Sequence, residues 1–351
     1  MARAGHSVSA VIAMAMVAAA GAACGGGGPA AHRAEPAGGP ATVPAAVIER
    51  MLAMLPPGAQ VVVEVDLARL RANPVVGEVV TRALAERVQD LPAGVPASPL
   101  AAADQVVLAA YGVGTAQAAT LTVLAAAHEL AGTTKLADGF YAVGPPDWVE
   151  QAQQRVAFAA TGEAKFAIRA APELLELRRR AMPANAPGAS LRITARLPFD
   201  ARVALARQTG LDAAPAQLSA WGDVADDLAL VVDCDAADPG NRTAGGKRAS
   251  DAPKRLEATL RGALAAVSEQ PVVRLLGLPS SLAGARFAAR GSWVRTIIAI
   301  GPSHLHRVVD RAAALLRAAA PPMPTQPSTT PTQPSTTPTP PPATPPGAPA
   351  S

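Results

Sequence analysis

Aromatic residues make up only 3% of this 351-residue chain. Its core must therefore be built from Ala, Val and Leu, and a 50% hydrophobic content is ample for one or two cores. Charge of one sign is also missing. The 31 Lys and Arg stand against 27 Asp and Glu, a formal net charge of +4. A nucleic-acid footprint needs a concentrated basic face, so no nucleic-acid partner is expected. Catalytic vocabulary is sparse. No Gly-x-Ser-x-Gly elbow occurs, and Ser250 and Lys254 are four apart, not at Ser-x-x-Lys spacing. Of the 5 histidines, His304 and His306 are two apart at the start of a predicted helix and diverge on it, so they do not make a zinc pair.

What is present begins at the amino end. Arg3 and His6 precede Val8 to Ala20, VSAVIAMAMVAAA, a run of 13 residues without charge. A spanning helix needs ~20 apolar residues, so this run reads as the core of an export signal. Gly21-Ala22-Ala23 then leads into Cys24 and four glycines. Small residues directly before a cysteine resemble the lipobox of bacterial lipoproteins. Ala22 and Ala23 fit the last two positions and Cys24 the lipid acceptor, while Gly21 departs from the usual branched apolar residue. The resemblance implies a signal peptide over 1–23, removed in the mature protein, and a diacylglyceryl group on Cys24. An ordinary secretory cut, for example after Ala22, is the rival. Gly25 follows the cysteine where many inner-membrane lipoproteins carry Asp. The resemblance thus implies a bacterial cell-envelope protein, held in the outer membrane and facing the periplasm or the surface. With Cys24 acylated, Cys234 is left alone, and an intramolecular disulfide framework is excluded.

Residues 24–45 are rich in Gly, Ala and Pro and cannot bury enough surface to order themselves, so they read as a tether. The body that follows is predicted to be α+β, as two units of antiparallel or mixed sheet with helices on one face, 46–171 and 189–320, joined by a helix and linker over 172–188. In the first, Ala59 to Leu70 is strand-like. Asn73-Pro74 opens a helix with Asn as cap and Pro in the first turn. Strands follow over 105–113, 119–127 and near 135–143. In the second, strands are predicted over 189–198 and in DDLALVVDCDA, helices near 199–209 and 253–268, and a hairpin turning at Gly291-Ser292. The corners YAVGPPDWVEQA and IAIGPSHLHRVV align as strand, Gly-Pro, helix. They fit a duplicated unit, and equally a chance likeness of two such corners. PELLELRRR, over 172–180, reads as a helix with a solvated basic end. The opening from Leu55-Pro56 through Asp66, Leu70-Arg71 and Pro74 loosely resembles exported bacterial families of uncharacterised role, and implies no activity.

From Pro321 the chain carries no charge, and TQPSTTP occurs twice in tandem. Such proline density opposes helix and ladder, so 321–351 reads as a disordered, extended tail, or else as a spacer through the wall or a glycan acceptor on its threonines. The remaining chemical candidates are acids. Asp233, Asp235 and Asp238 precede a glycine and are hard oxygen ligands, but the spacing is not an EF-hand and no closing Glu follows. They stand as weak metal candidates, against a strand running into a solvated turn. Cys234 alternates with two of them and is expected to face the core. The expected role is a lipid-anchored envelope protein that binds or supports a partner, either an envelope protein or the cell wall. Its membrane contact is the N-terminal lipid, and no catalytic residue or cofactor is assigned. The alternative is an envelope hydrolase whose site assembles from Asp223, Asp226, Asp227 and Asp233.

Overall fold

A computed structural model of the chain describes residues 44–86, 97–160, 172–183, 188–209, 214–236 and 247–319. The leader, Cys24, most of the tether, the Pro/Thr tail and Asp238 lie outside the described residues. The α+β class is realised with 10 strands in one sheet. The strands are β1 (Val61–Asp66), β2 (Gln105–Tyr111), β3 (Ala119–Ala125), β4 (Thr134–Ala137), β5 (Phe140–Val143), β6 (Leu191–Arg196), β7 (Gln217–Val224), β8 (Leu228–Asp235), β9 (Arg286–Arg290) and β10 (Trp293–Ile300). Their order is β4-β5-β3-β2-β1-β6-β7-β8-β10-β9, and every neighbouring pair is antiparallel.

Read outward from the middle, both halves have the same order: first, second, third, fifth, fourth strand. They join where β1 lies beside β6, with Val63 opposite Ile193 and Glu64 opposite Arg192. The halves therefore share one sheet. Both halves end in the Gly-Pro corners read from sequence, β5 into α5 (Pro146–Ala160) and β10 into α11 (Pro302–Ala319). The short last hairpins turn on glycines in the left-handed region, Gly139 at φ 77 and Gly291 at φ 59, which residues with a Cβ rarely adopt. The first of these was expected as a single strand near 135–143. It is two strands turning at Asp138-Gly139, a dipeptide that favours tight hairpins.

Helices cover the two faces unequally. The face bearing Val61, Val63 and Val65 carries α2 (Leu67–Ala72), α3 (Gly77–Glu86), α4 (Ala97–Ala102), α7 (Phe199–Thr209), α8 (Lys247–Ser268), α9 (Pro271–Leu276), α10 (Pro279–Ala283) and α11. Its main cluster joins Leu70, Val76, Val106 and Leu124 of the first half to Leu228, Ile298, Leu305 and Val308 of the second. The opposite face, bearing Val62 and Glu64, is covered in the first half by α1 (Pro44–Met54) and α5, whose Met51, Leu52, Val149 and Ala152 pack on Val107, Leu121 and Val123. Helices on one face thus describe the second half's own helices, α7 to α11. The first half has them on both faces, because α5 leaves its corner on the Glu64 side whereas α11 leaves its corner on the Val63 side. Burial of both faces is why β1 to β3 are near-continuous apolar runs.

Asn73 links the halves at one end of the sheet. Its Oδ1 accepts from the backbone N–H groups of Val75 at 2.9 Å and Val76 at 3.1 Å, and its carbonyl accepts from Gly77 at 2.9 Å. The residue caps as its sequence suggests, although a turn intervenes before α3 begins at Gly77. Its Nδ2 donates to the carbonyls of Val224 and Ala225, at 3.1 and 2.9 Å, in the β7–β8 turn. Asn73→Ala removes both sets and should cost about 2 kcal/mol in urea unfolding. A loss below about 0.5 kcal/mol, the level of an ordinary surface change, would show that neither set matters.

Candidate functional site

The helix α6 (Pro172–Arg180) organises the Glu64 face. Its sequence dictates its position. Pro172 starts it, Glu173 lies in the first turn and Arg178, Arg179 and Arg180 lie in the last, as the helix dipole favours. Leu174, Leu177 and Arg178, with Ala181 just beyond, recur at helical spacing, and this stripe meets the sheet. Leu174 packs beside α1 and α5, whereas Ala181 packs on Trp221 and Val231 of β7 and β8. The helix consequently crosses the β1–β6 seam.

Arg178 is not the solvated helix end that the arginine run suggests. Its Nε and Nη2 donate to Glu64 Oε1 and Oε2 at 2.6 and 2.8 Å, a two-pronged pair whose side chains are 10% and 5% exposed. Arg192, across the seam from Glu64, lies below the ordinary guanidinium value. Burial is the main cause and the neighbouring Arg178 the next, with Glu64 and Glu49 opposing. Two residues on, the Arg180 guanidinium lies 3.7 Å over the Trp293 ring. The backbone N–H of Ala181 donates to Ser219 Oγ at 3.3 Å. Arg295 donates to both carboxylate oxygens of Asp233, at 2.8 and 2.7 Å, and to the Arg180 carbonyl at 3.1 Å. Only Arg179 of the three arginines stands clear of these interactions.

The acids read from sequence are not brought together. Asp233 is held by Arg295. Asp223 accepts from Arg69 Nε and Nη2, at 2.9 and 2.6 Å, and from Ser190 Oγ at 2.8 Å. Asp226 and Asp227 are exposed in the β7–β8 turn. Asp223 faces Ala229 and Asp233 faces Ser219 in the register, so the two carboxylates are four residues, ~13 Å, apart along the strands. Asp233 and Asp235 are both buried on the Glu64 face. No group of three or more His, Cys, Asp or Glu that could hold a metal occurs among the described residues. Cys234 faces the other way, fully buried against Leu256 and Val294, as its alternation with the two acids implies. Burial first, then Asp233 and Asp235, push its thiol up to about 12. His304 accounts for one of the paired histidines: Nε2 donates to the Gly277 carbonyl at 2.7 Å and Nδ1 faces Ser281 Oγ at 3.3 Å, while His306 is exposed.

A cavity of about 380 Å³ opens beside α6. Leu52 and Leu55 at the end of α1, Pro56, and Leu174 and Leu177 of α6 make its apolar wall. Arg155 of α5 and the Arg196–Glu173 pair, 2.7 Å apart, stand at its polar side. Arg155 donates to the Ala53 carbonyl at 3.3 and 3.2 Å, and burial holds it below the ordinary guanidinium value. Behind the wall, Tyr111 stacks on Trp148 at 4.0 Å and donates its hydroxyl to the Pro56 carbonyl at 3.1 Å. Burial pushes this phenol well above its ordinary value. The lining combines apolar surface with the Arg155 and Arg196 guanidinium groups and the Glu173 carboxylate, the mixture that holds a small amphiphilic group. None of this lining was assigned from sequence. On sequence Arg178 reads as part of a solvated helix end and Arg155 is not singled out, and for Glu64 only the Val-rich context in VVVEVD hints at burial.

Two measurements follow from these burials. Arg178→Met leaves the Glu64 carboxylate buried without its partner and should cost about 3–5 kcal/mol, whereas adding Glu64→Leu should recover most of that loss. Equal stability of the single and double variants would remove the ion pair from its central position. Cys234 should react with a thiol reagent such as DTNB only on unfolding, since its thiolate is suppressed and its sulfur enclosed. Prompt labelling of the native chain would contradict the burial.

No family model and no curated protein sequence matches the chain. Among solved structures, crystal form I of TP0453 is 8% identical with a TM-score of 0.37, covering 74% of this chain and 96% of that one. Crystal form III of TP0453 gives 8% and 0.39, with 74% and 97% covered. The likeness is weak in structure and in sequence, and no property of TP0453 is transferred on it.

Proposed function

We propose that the protein is a lipid-anchored component of a bacterial cell envelope whose folded body binds or supports a partner. The observation that carries this reading is the amino end, where a charge-free run leads through Gly21-Ala22-Ala23 to Cys24 and four glycines. Each buried CH₂ contributes ~0.8 kcal/mol, so two or three acyl chains on Cys24 would hold the protein stably. The body's features agree with binding. The acids that a hydrolase would use are tied to arginines or stand in an exposed turn, and the cavity beside α6 offers apolar walls with arginines at its rim. Outer-membrane residence, and an envelope protein or the cell wall as partner, belong to the same proposal.

Mass spectrometry of the N-terminal peptide tests the anchor directly. The expected species begins at Cys24 and carries the mass of a diacylglyceryl group. An unmodified start elsewhere, such as Ala23, would sink the idea. Cys24→Ser should move the protein out of the membrane fraction after a high-salt wash, which strips electrostatic association.

A further inference from the structure

The second half leaves one surface without a layer. Because α11 departs on the Val63 side, no described element of the second half takes the place that α5 occupies in the first, and α6 ends at Arg180, with Ala181 over β7 and β8. Beyond it the Glu64 face of β10 and β9 is open. Burial in β10 alternates strictly: Val294, Thr296, Ile298 and Ile300 are buried, whereas Arg295, Ile297 and Ala299 are exposed. A solvated sheet face ordinarily carries polar residues in alternation. Here Ile297, Ala299 and Ala288 provide exposed apolar surface instead, with Ile297 39% exposed, and Trp293 stands half-buried among them with one ring face under the Arg180 guanidinium.

The charged residues on this surface are cationic. Residues 286–300 contain three arginines and no acid. In the register Arg286 lies opposite Ile297 and Arg290 opposite Trp293, so each guanidinium stands beside a large apolar side chain. Arg286 and Arg290 are exposed and make no ion pair among the described residues. Arg295 and Arg180, 45% and 40% exposed, adjoin them, but both are paired with Asp233 and add less free charge. The counter-charges on the adjoining strand are Asp233 and Asp235, both buried. Arginines therefore stand outermost, two carboxylates lie beneath them, and a Trp and an Ile are interleaved.

We infer that this open face of β9 and β10 rests on an anionic lipid surface. An acidic protein would answer the arginines alone. The mixture favours a bilayer interface, where guanidinium groups meet lipid phosphates, Trp settles at headgroup level and an aliphatic residue such as Ile297 reaches the acyl boundary. The inference extends the envelope reading by orienting the body, but it uses no property of the anchor.

The test is co-sedimentation of the chain from residue 24 onward, without the apolar leader and carrying Cys24→Ser so that it cannot be acylated, with vesicles of phosphatidylcholine alone or mixed with phosphatidylglycerol. Binding is expected only to the anionic vesicles, falling with salt, and accompanied by a blue shift of Trp emission that Trp293→Phe diminishes. Arg286→Ala with Arg290→Ala should weaken binding about thirtyfold, from about 1 kcal/mol per arginine at the surface. Both positions are exposed, so an unchanged melting temperature verifies the fold of the variant. Equal binding to both vesicle types, binding to neither, or full binding by the arginine variant overturns the inference. Capture of an acidic protein by this face, without vesicle binding, overturns it too. Each of these outcomes leaves the Cys24 anchor to stand or fall by its own mass measurement.

Discussion

Glu64 and Arg178 form the interaction on which the rest of the molecule depends. The carboxylate projects from the central strand at the seam between two half-sheets, and the guanidinium arrives from the helix that crosses that seam on the same face. Taking both charges from water is expensive, and their attraction does little more than offset that cost. The pair therefore contributes position more than net stability. An unpartnered Glu64 at 4% exposure would be intolerable, so α6 has one place to lie and β1 one register against β6.

From that fixed strap, the other polar contacts of the Glu64 face follow in sequence. With Arg178 seated, Arg180 falls over Trp293, the Ala181 N–H reaches Ser219, and the Arg180 carbonyl meets Arg295 where it grips Asp233. The wall of the cavity is set by the same placement, since Leu174 and Leu177 lie one turn and one residue upstream of Arg178. Binding surface and scaffold are thus parts of one arrangement. The first half's α5 and the second half's α11 arise from alike corners but cover opposite faces, which distributes the helices unevenly and leaves β9 and β10 open on one side.

Local chemistry made much of this legible. The Gly291 turn, the Gly-Pro corners, the Asn73 cap and the inward Cys234 are all decided within a few residues, and each could be read from its neighbours. The Asp138-Gly139 hairpin is equally readable from its Asp-Gly dipeptide, although the expectation over 135–143 is one strand. QLSAWGDV, which forms β7, gave little strand signal because its small residues and Gly222 dilute the alternation. What could not be read was long-range. Nothing near Glu64 names Arg178 as its partner, and nothing near Pro302 says to which face α11 will turn. The cavity lining likewise gathers residues from α1, α5, α6 and β6, which only the completed sheet brings together.

The strand order has a kinetic side. Within each half, pairings join sequence neighbours or skip a single strand, so the loops to be closed are short or of middling length. The β1–β6 pairing is different, because Val61 meets Ala195 across the longest sequence separation of any pair in the sheet. Closing that loop carries the largest entropic cost and returns no contact energy until the ends meet. On that ground each half is expected to gain its own hairpins first, with the seam as the slow step. Until it closes, β1 and β6 are both bare edges, and two copies of the chain could exchange halves through the same pairing. The Glu64–Arg178 pair forms equally in either arrangement, so the choice between closure within one molecule and a domain-swapped dimer is set by the effective concentration that one half has at the other, against the concentration of the protein.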